Sequence, residues 1–419
     1  MSDKAVVSAR LLDLSRLISR AGRTLTGVDR VELAYLKALV GRKTPAFGLI
    51  RSPIGYLLLD EAGMRGLAAR IEGDVAWGRA TRLARIFGKL DPVQQQAMSD
   101  ARRLAMARTH RAGLSRMLAK HLPEGCGYLN VGHSNLTERV VHAVKHGAKG
   151  RVAVMVHDTI PLDLPLMQTP EAVERFRKML QLVRKSADLV IYNSKATRKA
   201  AEAHMEAWGG APQGAVAHLG VELAEPKPDE LPKGLPPEGP YFVSVGTIEP
   251  RKNHALLLEI WERLVKQTPP QDMPHLVICG ARGWMNEEVF FRMDRSALMG
   301  EHLHEVSGLS DGAIAALVQG AAGAVYPSVA EGFGLPMVEA AAMGVPVICA
   351  NLPIYHEVLD DFPVYASVKD SYLWQRRIMA LASKKKQSDA GGKQQATGQI
   401  TKVEAPTWDA HFNRVLKLT

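Results

Sequence analysis

The chain lacks the marks of several protein classes. Its three cysteines, Cys126, Cys279 and Cys349, lie far apart with no Cys-x-x-Cys spacing. This argues against a disulfide framework and a structural zinc site, and makes a reducing cytosol the expected setting. No stretch approaches the roughly 18–20 uninterrupted apolar residues of a spanning helix. The opening MSDKAVVSARLLDLSRL is broken by Arg10, Asp13 and Arg16 and does not read as a signal peptide. No Gly-x-Gly-x-x-Gly follows a first strand, as a dinucleotide-dependent dehydrogenase would want. No recognition helix, zinc finger or RNA-binding aromatic motif is present, so a nucleic-acid partner is not expected.

Of the 419 residues, 46% are hydrophobic and 23% charged, an ordinary globular composition that excludes global disorder and a coiled-coil rod. Typical domains hold roughly 100–200 residues, so the length predicts two. Lys and Arg number 53 against 43 Asp and Glu, a net charge of +10, which fits a polyanionic partner or an anionic small substrate. Residues 79–120 concentrate that excess: ten Lys and Arg face two acids, Asp91 and Asp100. Arg79, Arg82, Arg85 and Lys89 recur at steps of three or four between apolar residues, predicting basic amphipathic helices. Such a face is solvated, rests on anionic lipid or binds nucleic acid, and the pattern alone leaves all three open.

Residues 223–240, LAEPKPDELPKGLPPEGP, carry six prolines in eighteen positions and read as an extended linker. On either side, β-branched runs alternate with helical patterns, the signature of parallel α/β sheets. RVAVMVHD (151–158), ADLVIYNS (187–194), YFVSVG (241–246), HLVICG (275–280), GAVYPS (323–328) and PVICA (346–350) are the predicted strands. The expected organisation is a first domain over 1–222, the linker 223–240 and a second domain over 241–383. A flexible polar tether (384–399) and a last helix around Trp408 (400–419) complete it.

Two strand-to-helix turns carry chemistry. In GAVYPSVAEGFGLPMVEAAAMGVPVI (323–348), Pro336 suits a helix start and the glycines permit close backbone approach. Glu331 is read in the loop and Glu339 in the first helical turn, flanking backbone N–H groups suited to an anion. In VSVGTIEPRKNHALLLEIWERL (243–264), Arg251 and Lys252 fall at the carboxyl end of a strand, where α/β sheets face their ligand. Cations at a helix N-terminus are unfavourable unless an anion intervenes, which points to a phosphate.

GTIEPRKNH followed by SVAEGFGLPMVEAAAMGVPVI resembles the retaining nucleotide-sugar glycosyltransferases of family 4 (group 1), which have the GT-B fold. EGFGLPMVE matches that family's Glu-x7-Glu signature. Weaker likeness continues through TGVDRVELAYLKAL (26–39), VMVHDTIPLDLP (154–165), ADLVIYNSKATRK (187–199) and AHLGVEL (217–223). The resemblance implies an α/β GT-B fold with two Rossmann-like parallel-sheet domains facing a cleft, and a last helix around Trp408 (400–419) that packs back on the first domain. It implies that Glu339 binds the nucleotide ribose and Glu331 the transferred sugar, with the backbone of Phe333, Gly334 and Leu335 near sugar and diphosphate. Gly246 begins the donor loop, and Lys252 matches the diphosphate-binding lysine. Thr247 stands where the family has an arginine, with Arg251 as the substitute charge. His157 matches a histidine that contacts the donor sugar, with Asp158 beside it. Gly27 matches a flexible glycine loop closing on the diphosphate, and His133 is a candidate for the acceptor cleft.

The activity so implied is hexose transfer with retained configuration, mannose from GDP-mannose being the best match to the GTIEPRKNH wording. The acceptor would be a saccharide or lipid-linked saccharide of surface-polysaccharide assembly, and no cofactor is implied. Positive charge takes the place of a metal in this fold, consistent with the absence of Asp-x-Asp. The enzyme would work in the cytoplasm, peripheral on the inner membrane face through 79–120. A GT-B phosphorylase, a nucleotide-sugar epimerase and a non-catalytic basic binding protein are the competing readings.

Overall fold

A computed structural model describes residues 7–82, 84, 90–390 and 403–419. It divides into two compact units. Unit 1 comprises Met1–Thr159, Glu174–Leu219 and Trp408–Thr419, and unit 2 comprises Ile160–Val173 and Gly220–Thr407.

Unit 1 is built on eight strands: β1 (Arg10–Asp13), β2 (Ala46–Ser52), β3 (Gly55–Leu59), β4 (Ala107–His110), β5 (Gly127–Asn130), β6 (Arg151–Val156), β7 (Leu189–Tyr192) and β8 (Gly214–Val216). Their order is β4-β3-β2-β1-β5-β6-β7-β8. β2, β1 and β5 to β8 run parallel, while β3 and β4 extend one side antiparallel. The parallel strands are near-continuous apolar runs because helices cover both faces; every residue of β5 and β7 is buried. The chain starts at β1, moves outward to β4, and returns to β5 on the other side of β1. That reversal leaves a crevice at the carboxyl ends of β1 and β5.

Unit 2 repeats the plan with six parallel strands: β9 (Tyr241–Val245), β10 (His275–Cys279), β11 (Leu303–Val306), β12 (Gly323–Tyr326), β13 (Val347–Ala350) and β14 (Val364–Ala366). The order β11-β10-β9-β12-β13-β14 puts the reversal between β9 and β12. The core gathers Phe242, Ile278, Val325 and Ile348 from the sheet with Leu257, Trp261, Trp374 and Ile378 from its helices. Each such side chain contributes roughly 1.5–3 kcal/mol on burial. The two indoles also satisfy their N–H groups, on Pro274 O and Ser367 O, both at 3.0 Å.

Several local expectations change. The 79–120 block holds two amphipathic helices, Pro92–Leu104 and Leu114–His121, but strand β4 and a single turn Arg111–Gly113 interrupt the helical run between them. Of the cationic stripe read over Arg79, Arg82, Arg85 and Lys89, the last two lie outside the described residues, with 83 and 86–88. Part of the block's charge is neutralised, because buried Asp100 receives Arg70 at 2.9 Å and Arg103 at 2.5 Å. The proline-rich 223–240 stretch is docked on unit 2: Lys227 N–H donates to Gly312 O at 2.9 Å, and Glu230 accepts from the Ser310 hydroxyl. The helix Ser371–Ala390 continues through the first residues assigned to the tether, and 391–399 lie outside the described residues.

The last helix, Trp408–Val415, belongs to unit 1. Its His411 meets Tyr35 Oη at 2.8 Å, Phe412 lies edge-on to Tyr35 at 5.0 Å, and Arg10 Nη2 donates to Leu416 O at 2.8 Å. Among the described residues no helix is long and apolar enough to cross a membrane.

Candidate functional site

In unit 2 the turns after β9 and β12 meet where the sheet reverses. β9 leads into Gly246 at φ +138°, then Thr247, and a single helical turn Pro250–Lys252. A side chain on the neighbouring Gly280 would come within 2.0 Å of Gly246 O, so the bare glycine lets the loop after β10 pass. Asn253, at φ +55°, redirects the chain into the helix His254–Gln267. This geometry aims Arg251 and Lys252 at the loop after β12. There the Glu331 carboxylate accepts from Lys252 Nζ at 2.5 Å and Arg251 Nη1 at 2.6 Å. Ser328 Oγ donates to Glu331 at 2.8 Å, and Arg251 N–H groups also reach Ala330 O at 3.1 Å and Glu249 at 2.7 Å.

Burial alone would raise the Glu331 pKa, but Arg251 and Lys252 outweigh it and hold the carboxyl at about 2. Burial lowers the pKa of Lys252 against the pull of Glu331, and burial raises that of Glu249 against Arg251. The cluster therefore carries a charged carboxylate between two cations in a poorly solvated place. Opposite it, Gly334 adopts φ +83° and caps the helix Leu335–Ala342, with Pro336 in its first turn. A side chain on Gly334 would press Tyr355 at 3.0 Å. Phe333 is buried and anchors the loop. Glu339 is the fifth residue of that helix, in its second turn rather than the first, because the helix begins at Leu335; it is half-buried.

Unit 1 places His157 just past β6 and His133 in the loop beyond β5. Each ring reaches across to the other's strand. His157 Nε2 donates to Val131 O and His133 Nε2 to Met155 O, both at 2.6 Å, and the rings pack edge to face at 5.1 Å. A carbonyl only accepts, so both Nε2 atoms carry the proton and each Nδ1 is the acceptor edge. Burial lowers the pKa of His157 to about 3 and of His133 to about 4, so both are neutral at physiological pH. Asp158 follows, half-buried.

Gly27 is not in a loop. It is the first residue of the helix Gly27–Leu39, fixed by a capping box in which Thr26 and Asp29 satisfy each other's backbone N–H. Asp29 is in turn gripped by Arg16 at 2.6 Å and Arg20 at 2.7 Å. Gly27 itself is exposed.

Residue-by-residue reading missed Glu249 and Ser328, which complete the Arg251 and Glu331 pairs. It also missed two buried carboxyls by the unit 1 crevice. Asp13 ends β1 and accepts from Tyr128 Oη at 2.9 Å, Asn135 Nδ2 at 2.8 Å and Ser15 N–H at 3.0 Å; burial raises its pKa to about 6. Glu32 accepts from Leu17 N–H at 3.1 Å, and burial, then Asp13, raise its pKa. The only local signal was Asp13 at a strand end. Among the described residues no cluster of three or more His, Cys, Asp or Glu is disposed to hold a metal.

Residues 228–395 match the family model for glycosyl transferases group 1. The serotype-specific mannosyltransferase WbdA of Escherichia coli is 29% identical over 229 residues, covering 51% of this chain and 27% of the relative. The O-antigen chain mannosyltransferase B of the same species is 35% identical over 130 residues, 31% of this chain and 33% of that protein. The chain thus matches only about a quarter to a third of the length of these curated relatives. Among solved structures, HepE of Anabaena in complex with UDP and glucose aligns with a TM-score of 0.58 at 17% identity, covering 90% of this chain and 91% of HepE. A trehalose-6-phosphate structure from E. coli bound with UDP-2-fluoro glucose aligns with a TM-score of 0.53 at 14% identity, over 98% and 94% of the chains. Residues 228–395 therefore carry the likeness to the group 1 glycosyl transferases, and the chain as a whole has the GT-B fold of these neighbours.

Proposed function

We propose that the chain is a retaining glycosyltransferase moving a hexose, mannose, from GDP-mannose to a saccharide or lipid-linked acceptor in surface-polysaccharide assembly. The observation that carries this reading is the Glu331 carboxylate held by Arg251 and Lys252 at the sheet reversal of the group 1-like domain. The mannosyltransferase relatives, WbdA and O-antigen chain mannosyltransferase B, support the choice of mannose, and the UDP-bound neighbours support a nucleoside-diphosphate donor.

An arriving diphosphate competes with Glu331 for the Lys252 ammonium and the Arg251 guanidinium. Glu331, released from one cation, then accepts hydrogen bonds from hydroxyls of the sugar. Gly246, Thr247 and the backbone of Phe333, Gly334 and Leu335 surround the same ligand, and Glu339 takes the ribose hydroxyls. As the sugar–phosphate bond breaks, charge grows on the leaving diphosphate, and fixed cations in a poorly solvated place stabilise it without reorganising. The acceptor oxygen attacks the same face, and its proton passes to the departing phosphate oxygen. His157, neutral with Nδ1 as its acceptor edge, takes a hydrogen bond from a sugar hydroxyl rather than acting as an acid. Asp158 and His133 line the acceptor side, and the Gly27 helix start faces the diphosphate. Basic residues of 79–120 hold the protein at the cytoplasmic face of an anionic membrane.

The test is a transfer assay with GDP-mannose and a saccharide acceptor, followed by NMR of the product anomer and of released GDP. Retained configuration with stoichiometric GDP is expected. Inversion, or product without free nucleoside diphosphate, refutes the reading.

A further inference from the structure

Unit 1 also contains a cavity of about 320 Å³ that the transfer chemistry does not use. Arg51, Arg111 and Arg139 line it, with Tyr56 and a single acid, Glu138. The three arginines come from distant parts of the chain. Arg51 is next to last in β2, and its backbone N–H is fixed by Ser15 Oγ at 2.9 Å. Arg111 opens the turn after β4, and its Nη2 leans on Pro53 O of the β2–β3 turn at 3.4 Å. Arg139 lies in the short helix Glu138–His142 after β5. Close strand pairing makes the convergence possible: Gly55 faces His110, and a side chain on Gly55 would lie 2.0 Å from Thr109 O.

Among the described residues none of the three guanidiniums has a carboxylate within ion-pair distance, Glu138 included. Some arginines of this unit are held by acids, as Arg16 and Arg20 are by Asp29. Three unpaired arginines around one concavity repel each other unless an anion joins them, and the planar guanidinium fork matches phosphate oxygens.

We propose that this cavity binds a phosphate group borne by the acceptor. Its placement suits that role. Arg51 and His157 stand at the carboxyl ends of β2 and β6, strands that run parallel in the order β2-β1-β5-β6. Three strand spacings put those ends about 14 Å apart, room for sugar between an anchored phosphate and the reacting centre. Calling the ligand an acceptor rests on the transferase reading; the anion site itself does not.

The probe is inorganic pyrophosphate, titrated calorimetrically into the full chain. Lys252→Ala removes one of the two donor cations and weakens that site, so that the unit 1 site dominates. In that background Arg111→Ala with Arg139→Ala weakens pyrophosphate binding by roughly tenfold or more, with melting temperature unchanged because the side chains are exposed. A second arm uses vesicles of phosphatidylcholine with and without phosphatidic acid. Loss of anionic-vesicle binding in the same variant identifies a lipid-borne phosphate, and loss of pyrophosphate binding alone identifies one carried on a soluble saccharide. Pyrophosphate affinity unaffected by the arginine changes, or a single site that disappears with Lys252→Ala, overturns the proposal. Failure of the transferase reading looks different: no sugar transfer by the wild type, with the arginine-dependent pyrophosphate site intact.

Discussion

Glu331 is the residue on which the proposed donor site turns. Only 7% of its side chain is exposed, yet it is ionised because Arg251 and Lys252 flank it. Replacing it by Gln leaves two cations in a poorly solvated place, and removal of one partner of a buried pair costs about 3 kcal/mol. Glu331→Gln should therefore lower the melting temperature and, separately, turnover; an unchanged melting curve contradicts the pairing. Lys252→Ala should leave the fold intact and cut turnover sharply, and near-normal turnover would refute its assignment to the leaving diphosphate. The histidines give a pH prediction. Burial depresses His157 to about 3 and His133 to about 4, below the ordinary value of 6.5. The unfolded chain therefore binds protons that the folded chain does not. Their contribution is complete above about pH 6.5 and is lost as pH falls toward those folded values. Denaturant melts of His133→Asn with His157→Asn should show a flatter stability slope between pH 6.5 and 4 than the wild type; an equal slope contradicts the neutral, anchored rings.

At the scale of elements, the two turns at the sheet reversal were open to reading because they depend on local residue chemistry. Gly334 and Pro336 announce a left-handed cap and a first turn, and the helix starts between them. Gly334→Ala puts a side chain into the left-handed region at a cost of about 1–2 kcal/mol and presses it on Tyr355 at 3.0 Å. It should lower the melting temperature and weaken donor binding together. An unaltered donor affinity would separate that loop from the ligand. Partnerships across the fold were not legible in the same way. Glu249 reads as a solvated loop acid until Arg251 folds back onto it at 2.7 Å. Asp13 meets Tyr128 and Asn135 only because β1 and β5 are neighbours. Gly27 looked like part of a mobile loop, since the grip of Arg16 and Arg20 on Asp29 is not written in the local pattern. The basic block misled for a related reason: strand β4 inside it pairs with β3, which no helical periodicity anticipates.

At the scale of the molecule, the alternation of strands and helices marked both halves as parallel α/β, through β6 and β7 in the first and β9, β10, β12 and β13 in the second, and the proline-rich stretch marked where the second begins. The return of the last helix to the first domain was implied by the family resemblance, whereas the grouping of Ile160–Val173 with the second unit was not legible. Ile160–Val173 groups with unit 2 and Trp408–Thr419 with unit 1. Phe412 and Val415 are buried in unit 1. Deleting Trp408–Thr419 should expose Tyr35 and destabilise unit 1, visible as a lower melting transition; an unchanged transition contradicts a structural part for this helix. The proposed nucleotide-sugar site of unit 2 is built on Lys252, Arg251 and Glu331. Its most direct test is a thermal-shift comparison of GDP, UDP, ADP and their sugars on the wild type and on Lys252→Ala, since a ligand that binds only the native state raises the melting temperature. The account predicts stabilisation by one base, guanine, in the wild type and its loss in the variant. No shift with any nucleotide, or an equal shift in both proteins, would contradict it.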